Sequence, residues 1–153
     1  LCYCIMNSKY LMLSEAQRDG SIWTNLPTLS SSTRPCYFTV IRATLVFSSA
    51  ETFEGIDILC NIPAMNYFSS SNDAPLCANL TTVDKKLFEM TLNNEIHLLT
   101  NDNLKRVEFK LQDNNGTAIA IDGDDSLEVL IKIDYFDQEE MTDKVISEQV
   151  KRL

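Results

Sequence analysis

The sequence predicts an all-β protein, a sandwich or barrel of about eight strands. Two observations lead to this prediction. Apolar and polar residues alternate with a period of two along four segments, which is typical of strands that bury one face. Clusters of Gly, Asn, Asp and Ser separate these segments at short intervals, as they do in sandwiches and barrels.

The clearest strand covers residues 127–135. Its apolar positions are Leu127, Val129, Ile131, Ile133 and Tyr135, and only Leu130 interrupts the polar face between them. The same alternation is found at 107–111, at 88–92 and at 56–62, where Pro63 ends the run. Each of these segments is therefore predicted to be a strand with one buried face.

The segment from Tyr37 to Phe47 differs, because it is apolar on both faces and rich in β-branched residues. We interpret it as a long strand with both faces covered, or with one face covered by another subunit. Shorter strands are predicted at 10–13, 22–24 and 97–99. Together with the four alternating segments, these account for the strands of an antiparallel sandwich.

Two turns near the C-terminal end are predicted from their composition. Asn114-Asn115-Gly116 suits a turn with a positive φ at Asn115 or Gly116, and it leads into a short strand at 118–121. Asp122 and Asp125 bound the next turn, which precedes the last long strand.

A helical period is found only at 139–153. It places Met141, Val145, Ile146, Val150 and Leu153 on one narrow stripe, with acidic residues at the start and basic residues at the end. We expect a short C-terminal helix that docks on the domain or on a neighbouring molecule. The chain thus divides into an N-terminal arm with the first strands (1–35), a main body (36–136) and a C-terminal helical tail (137–153).

Composition limits the function. The chain has 153 residues, enough for one domain, and a net charge of -9, which disfavours direct binding of nucleic acid. No apolar run approaches the ~20 residues of a membrane span. The stretch 1–13 has no basic n-region and no small-residue cleavage site, so it is not expected to be a signal peptide.

Reactive side chains do not form a recognisable catalytic or metal-binding motif. His97 is the single histidine, and the five cysteines contain no CxxC pair, so we assign no catalytic, cofactor-binding or metal-binding residue and expect no enzyme. Cys60 is predicted to be a buried free thiol, which favours a reducing compartment, although the sequons at Asn79 and Asn115 point weakly the other way.

The densest carboxylate group consists of Asp122, Asp124 and Asp125, with Asp113 before it. An acidic loop can bind Ca²⁺, but the spacing does not match the helix-loop-helix calcium pattern. Because Asp and Asn are also good turn formers, we expect a solvated turn.

Several aromatic residues are candidate interface anchors, since Trp and Tyr are favoured at protein interfaces. They are Trp23, Tyr37, Tyr67 and Phe68, and the apolar stripe of the tail adds Met141, Val145, Ile146 and Val150. Core filling is the alternative role, and for Trp23 and Tyr67 the two roles are evenly balanced.

The pattern of the strands resembles a known family. The stretch LKRVEFKLQDNNGTAI at 104–119, followed by LEVLIKI at 127–133, is similar to the last part of jelly-roll capsid proteins of large double-stranded DNA viruses, virophages and polinton-like elements. The stretches FTVIRATLVF at 38–47 and IDILC at 56–60 resemble the middle strands of the same roll. The similarity covers roughly residues 36 to 135, and the first 35 residues do not follow the pattern.

This resemblance implies an antiparallel eight-stranded jelly-roll sandwich that serves as a capsid protein, of penton or minor capsid type. Its implied partners are other capsid proteins, namely copies of itself, as a pentamer, and the major capsid protein. A host receptor is a further candidate partner, and the implied location is the virion, assembled in the host cytoplasm. The alternative is a non-enzymatic jelly-roll binding module for a carbohydrate, a receptor or a cation. A cupin-type enzyme is disfavoured because cupins use several histidines around a metal.

Overall fold

The computed structural model describes residues 6–13, 18–20, 22–23, 35–65, 74–91, 94–101 and 105–136. This part of the chain contains eleven strands and no helix. The strands are β1 Met6–Leu13, β2 Arg18–Asp19, β3 Ile22–Trp23, β4 Cys36–Val46, β5 Gly55–Cys60, β6 Leu76–Thr82, β7 Leu87–Met90, β8 His97–Thr100, β9 Val107–Asp113, β10 Ala118–Ile119 and β11 Ser126–Phe136. Over the same ranges, no helix has the length and apolar character that crossing a membrane requires.

All strand pairs are antiparallel, in the order β1-β11-β4-β7-β6-β5-β9-β3-β2, with β8 beside β4 and β10 beside β9. The predicted all-β antiparallel class is confirmed. Three of the eleven strands, β2, β3 and β10, are only two residues long, and the other eight form a framework consistent with a jelly-roll sandwich. The predicted helical tail, 137–153, lies outside the described residues.

The central pair is β4 with β11, and it contains a β-bulge. Leu130 pairs with Arg42 and Ile131 pairs with Val40, so Ile41 is an extra residue in β4. The buried positions of β4 therefore shift from Phe38 and Val40 to the odd-numbered Ala43, Leu45 and Phe47. The bulge therefore explains the change of buried phase along β4, although Thr39 on the opposite face is also fully buried.

A second bulge lies between β5 and β6. Ile58 pairs with Ala78 and Leu59 pairs with Leu76, which leaves Cys77 as the extra residue of β6. Cys77 and Ala78 are consequently both buried, although they are adjacent in the chain.

One hydrophobic cluster receives side chains from β1, at one end of the sheet order, and from β3, next to the other end, as a closed sandwich requires. The rings of Trp23 and Phe109 meet edge to face with centroids 5.4 Å apart, and Phe47 and Phe88 meet in the same way at 5.5 Å. The predicted alternation at 107–111 is confirmed, since Val107, Phe109 and Leu111 are buried.

The turn after β9 also agrees with prediction. Gly116 has a φ of 83°, a region that side chains disfavour, and the chain then returns to pair Ala118 with Gln112. The side chain of Asp113 accepts hydrogen bonds from the backbone N–H groups of Asn115 and Thr117, both at 2.9 Å. Asp113 therefore stabilises its own turn.

We predict that Phe109→Ala lowers the free energy of unfolding by about 3–5 kcal/mol, because it leaves a cavity beside Trp23. The matched control on the same strand is Glu108→Ala. Glu108 is half-buried and makes a 3.8 Å ion pair with the exposed Arg106, so this change should stay within about 0.5 kcal/mol of the wild type. Urea titration of both variants measures the difference, and equal losses would show that the strand does not bury alternate residues.

Candidate functional site

The titratable side chains of the described residues do not assemble into a site for a metal ion. In the ranges that the structure covers, no group of three or more His, Cys, Asp and Glu side chains is placed to hold one. Of the four acidic residues singled out in the sequence, Asp113 and Asp125 accept backbone hydrogen bonds, whereas Asp122 and Asp124 are exposed in their turn.

Asp125 joins the turn before β11 to the chain segment after β4. Its Oδ1 accepts from the Ser48 backbone N–H and its Oδ2 accepts from the Asp122 backbone N–H, both at 2.9 Å. Burial is the largest single effect and would raise the pKa of Asp125. The two backbone hydrogen bonds, a side-chain hydrogen bond from Ser48 and the charge of Arg18 together outweigh burial and hold the pKa below its usual range. The carboxylate thus has a structural partner for each oxygen.

His97 lies on the surface of β8. Its Nδ1 is 2.8 Å from Oγ1 of Thr39, the residue that faces it across the β4–β8 pair. Thr39 is fully buried whereas His97 is exposed, so this hydrogen bond satisfies the hydroxyl of a strand residue. His97, the single histidine of the chain, therefore lies at the surface.

One face of the sheet, which is exposed in part, is a candidate surface for recognition. We define the outer face as the side of β1, β11, β4 and β8 that points away from the core. Directly paired residues share a face, so Tyr10, Lys132, Thr39 and His97 form one continuous row across the four strands. The apolar side chains of the outer face are Tyr10, Met12, Tyr37, Ile41, Val46, Leu99 and Leu130.

The apolar side chains are most exposed at the β1 side of the outer face. Tyr10 is 60% exposed and Met12 is 43% exposed, which places both among the large hydrophobic residues most open to solvent in the described chain. Tyr37, Ile41, Leu99 and Leu130 are half-buried. Exposed apolar groups gathered on one sheet face mark a contact surface more often than singly scattered ones do.

Two polar side chains on the outer face are paired with Asp134. The Ser8 hydroxyl donates to the Asp134 carboxylate, and the Lys132 ammonium lies 3.6 Å from the same oxygen of Asp134. Asp134 is nearly buried, so its charge is balanced where it lies. A partner that covers this region would therefore not have to supply a counter-charge for Asp134.

Strand β1 also presents a backbone edge. It pairs with β11 along all eight residues, from Met6 to Leu13, and no other described strand pairs with its second side. Alternate N–H and C=O groups point to that side, where they have no partner strand among the described residues.

The residues predicted as interface anchors do not all lie on the outer face. Trp23 is fully buried against Phe109, so the role that its position fits is core filling. Tyr37 lies on the outer face and is half-buried. Tyr67, Phe68, Met141, Val145, Ile146 and Val150 lie outside the described residues. Sequence reasoning missed Tyr10 and Met12, although the apolar run at 10–13 already has apolar residues on both faces of its predicted strand.

A separate cleft of 730 Å³ lies where β5, β6 and β9 end. Cys60, Asn61, Lys110, Gln112 and Pro75 are among the residues that line it. Its volume is in the range of small-molecule sites, about 300–1,000 Å³.

Comparison with known proteins does not identify a family. No protein-family model matches the chain, and no curated protein matches it significantly. A solved structure of Drosophila NLP-core, described as providing insight into pentamer formation and histone binding, is similar with a TM-score of 0.31 and 14% identity. The match covers 87% of this chain and 98% of that chain. A likeness this weak carries no inference about the present chain.

We predict that Asp125→Asn lowers the free energy of unfolding at pH 7 by about 1–2 kcal/mol, because an amide nitrogen cannot accept one of the two backbone hydrogen bonds. The exposed neighbour Asp124→Asn is the control and should stay within about 0.5 kcal/mol of the wild type.

The Asp125 effect should also depend on pH. A depressed pKa means that the carboxylate stabilises the fold above its unfolded pKa of about 4, and that this stabilisation is lost as the pH falls through the lower folded pKa. Urea titrations from pH 7 to about pH 2 should therefore show the difference between wild type and Asp125→Asn shrinking. A difference that persists unchanged in acid would contradict this role of the carboxylate.

Proposed function

We propose that this chain is a structural subunit of a protein shell, of the single-jelly-roll capsid type, which assembles through protein–protein contacts. The observation that carries the proposal is the combination of the outer face with the open edge of β1. Both lie on the same side of the domain, and together they offer apolar side chains and backbone hydrogen-bonding groups to a neighbouring subunit.

The edge supports assembly because natural monomeric sheets protect their edge strands. Protection takes the form of very short strands, proline, bulges, charged side chains such as Lys, or a helix or loop that covers the edge. Strand β1 is eight residues long, contains no proline, and carries Lys9 as its single charge. Lys9 lies over the ring of Tyr135, with its Nζ 5.4 Å from the ring centroid, rather than along the open edge.

The composition of the outer face also supports a protein partner. Tyr, Met and Arg are enriched in protein interfaces, and the outer face carries Tyr10, Met12, Tyr37 and Arg42. The net charge of -9 disfavours a phosphate backbone as the partner. The described cysteines 36, 60 and 77 are not joined in disulfides, which suits assembly in a reducing cytoplasm.

Within the proposal, the finer assignment is a penton or minor capsid protein of the virion. Subunits around a fivefold axis meet through heterologous contacts, in which one patch binds a different patch of the neighbour. The outer face would supply one such patch, with copies of the chain, the major capsid protein and a host receptor as partners. The pattern of the strands from 36 to 135 supports this assignment by resemblance.

The cleft favours a second function, a binding module of the same fold. Its volume of 730 Å³ and polar lining residues such as Lys110 and Gln112 suit a small polar ligand. A module of this kind would act as a monomer, whereas a shell subunit would not.

The two functions differ in the expected mass of the wild-type protein in solution. We expect a closed oligomer, predicted to be a pentamer, by light scattering after size-exclusion chromatography. A strict monomer at high protein concentration would contradict the shell function and favour the binding module.

The double variant Tyr10→Asp/Met12→Asp should weaken self-association at least tenfold, because two charges would have to be buried in the contact. Val83→Asp is the matched control, since Val83 is 58% exposed in the turn between β6 and β7, away from the outer face. Melting curves establish that both variants are folded. If Val83→Asp weakened self-association as much as the double variant does, the assignment of the outer face as the contact surface would be contradicted.

A further inference from the structure

Cys60 and Cys77 form a pair that takes no part in the proposed contact surface. Cys60 is the last residue of β5 and Cys77 is the bulge residue of β6, so the bulge brings an additional side chain into the core beside Cys60. Both are buried, and their thiols are within hydrogen-bonding reach of each other. Sγ of Cys77 also lies 3.2 Å from the Ile58 carbonyl oxygen, which is the alternative acceptor for its single proton.

The two sulfur atoms have different surroundings. Sγ of Cys60 accepts from the Cys77 thiol and from the backbone N–H of Ile62, and Cys60 lines the 730 Å³ cleft. The hydrogen bond from Cys77 is the main reason that the pKa of Cys60 is lowered despite burial. Cys77 does not line the cleft, and burial raises its pKa well above the ordinary value.

We propose that Cys60 and Cys77 are a disulfide-forming pair, oxidised by a low-molecular-weight disulfide that reaches Cys60 through the cleft. Cys60 is the attacking thiol and Cys77 is the resolving thiol. This proposal is independent of self-association, because it rests on the core of one chain.

The chemistry proceeds by two exchanges. The Cys60 thiolate attacks one sulfur of the small disulfide, whose S–S bond breaks, and one small thiolate leaves. The sulfur of Cys77 then attacks the Cys60 sulfur of this mixed disulfide, whose bond to the second small thiol breaks. The proton of Cys77 passes to this second leaving thiolate, which departs as a thiol. In total, two protein thiols and one small disulfide yield one protein disulfide and two small thiols, so two electrons and two protons leave the protein.

The product would link β5 to β6 and close the segment 61–76 into a loop. A disulfide that closes a loop of this length lowers the conformational entropy of the unfolded chain and so stabilises the folded chain. Oxidation should therefore raise the melting temperature by roughly 5–10 °C.

The test treats the full, folded chain with glutathione disulfide and maps the cysteines by mass spectrometry. Cleavage before aspartate separates them, because Asp57 and Asp73 give peptides 57–72 and 73–83, while Cys36 lies in 19–56. We expect 57–72 and 73–83 to be linked to each other, in the wild type and in the control Cys36→Ala. The proposal would be overturned if Cys60 and Cys77 both remained free thiols after the other cysteines had reacted. It would also be overturned if peptides 57–72 and 73–83 were linked mainly to other peptides of the chain.

Two variants test the separate roles. Cys77→Ala should accumulate one glutathione on Cys60, because no resolving thiol is present, and its melting temperature should not rise on oxidation. Cys60→Ala should leave Cys77 largely unmodified. The rate of glutathione addition to Cys77 in Cys60→Ala is compared with the rate of addition to Cys60 in Cys77→Ala. Equal rates would overturn the assignment of roles. The peptide map of the oxidised wild type shows whether Cys60 and Cys77 are joined, even if a variant folds poorly.

Discussion

The pairing of β4 with β11 is the constraint on which the rest of the structure depends. The two strands of eleven residues pair at ten positions, and every other part of the sheet is attached to them, β1 through β11 and β7 and β8 through β4. Their inward side chains are essentially inaccessible to solvent. Since each fully buried Val, Leu, Ile or Phe contributes roughly 1.5–3 kcal/mol, this pair provides a large part of the driving force for folding.

The same pair also shapes the candidate interaction surface. The bulge at Ile41 turns both Ile41 and Arg42 outward, while Val40 and Ala43 stay in the core. It lets β4 keep one side buried along its length and still present both residues on the outer face. Beyond β11, strand β1 adds Tyr10, Met12 and an open edge to that surface. The surface proposed for assembly is thus a direct product of how the core is paired.

Much of the fold could be predicted from the sequence, because strands with one buried face reveal themselves by alternation. Residues 127–133 and 107–111 bury the side chains that their pattern indicated, and Gly116 has the positive φ that its turn predicted. Alternation fails where a bulge intervenes. At Ile41 the buried phase changes, so β4 resembles a strand that is apolar on both faces.

The sites were harder to predict than the strands, because they depend on contacts between distant segments. Nothing local shows that Asp125 binds the backbone of Ser48, or that Cys60 meets Cys77. The second contact depends on the bulge at Cys77, which shifts the β5–β6 register by one residue. The outer face likewise required the order of the strands, since Tyr10 and Tyr37 are neighbours only through β11.

The central claim is that a neighbouring subunit covers β1, and hydrogen–deuterium exchange at two protein concentrations tests it most directly. In dilute solution, alternate amides of Met6–Leu13 should exchange fast at the open edge, while those of β4 and β11 stay protected. At high concentration we predict that the fast amides of β1 become protected, with no change in the β4–β11 pair. Exchange in β1 that is the same at both concentrations would contradict the claim.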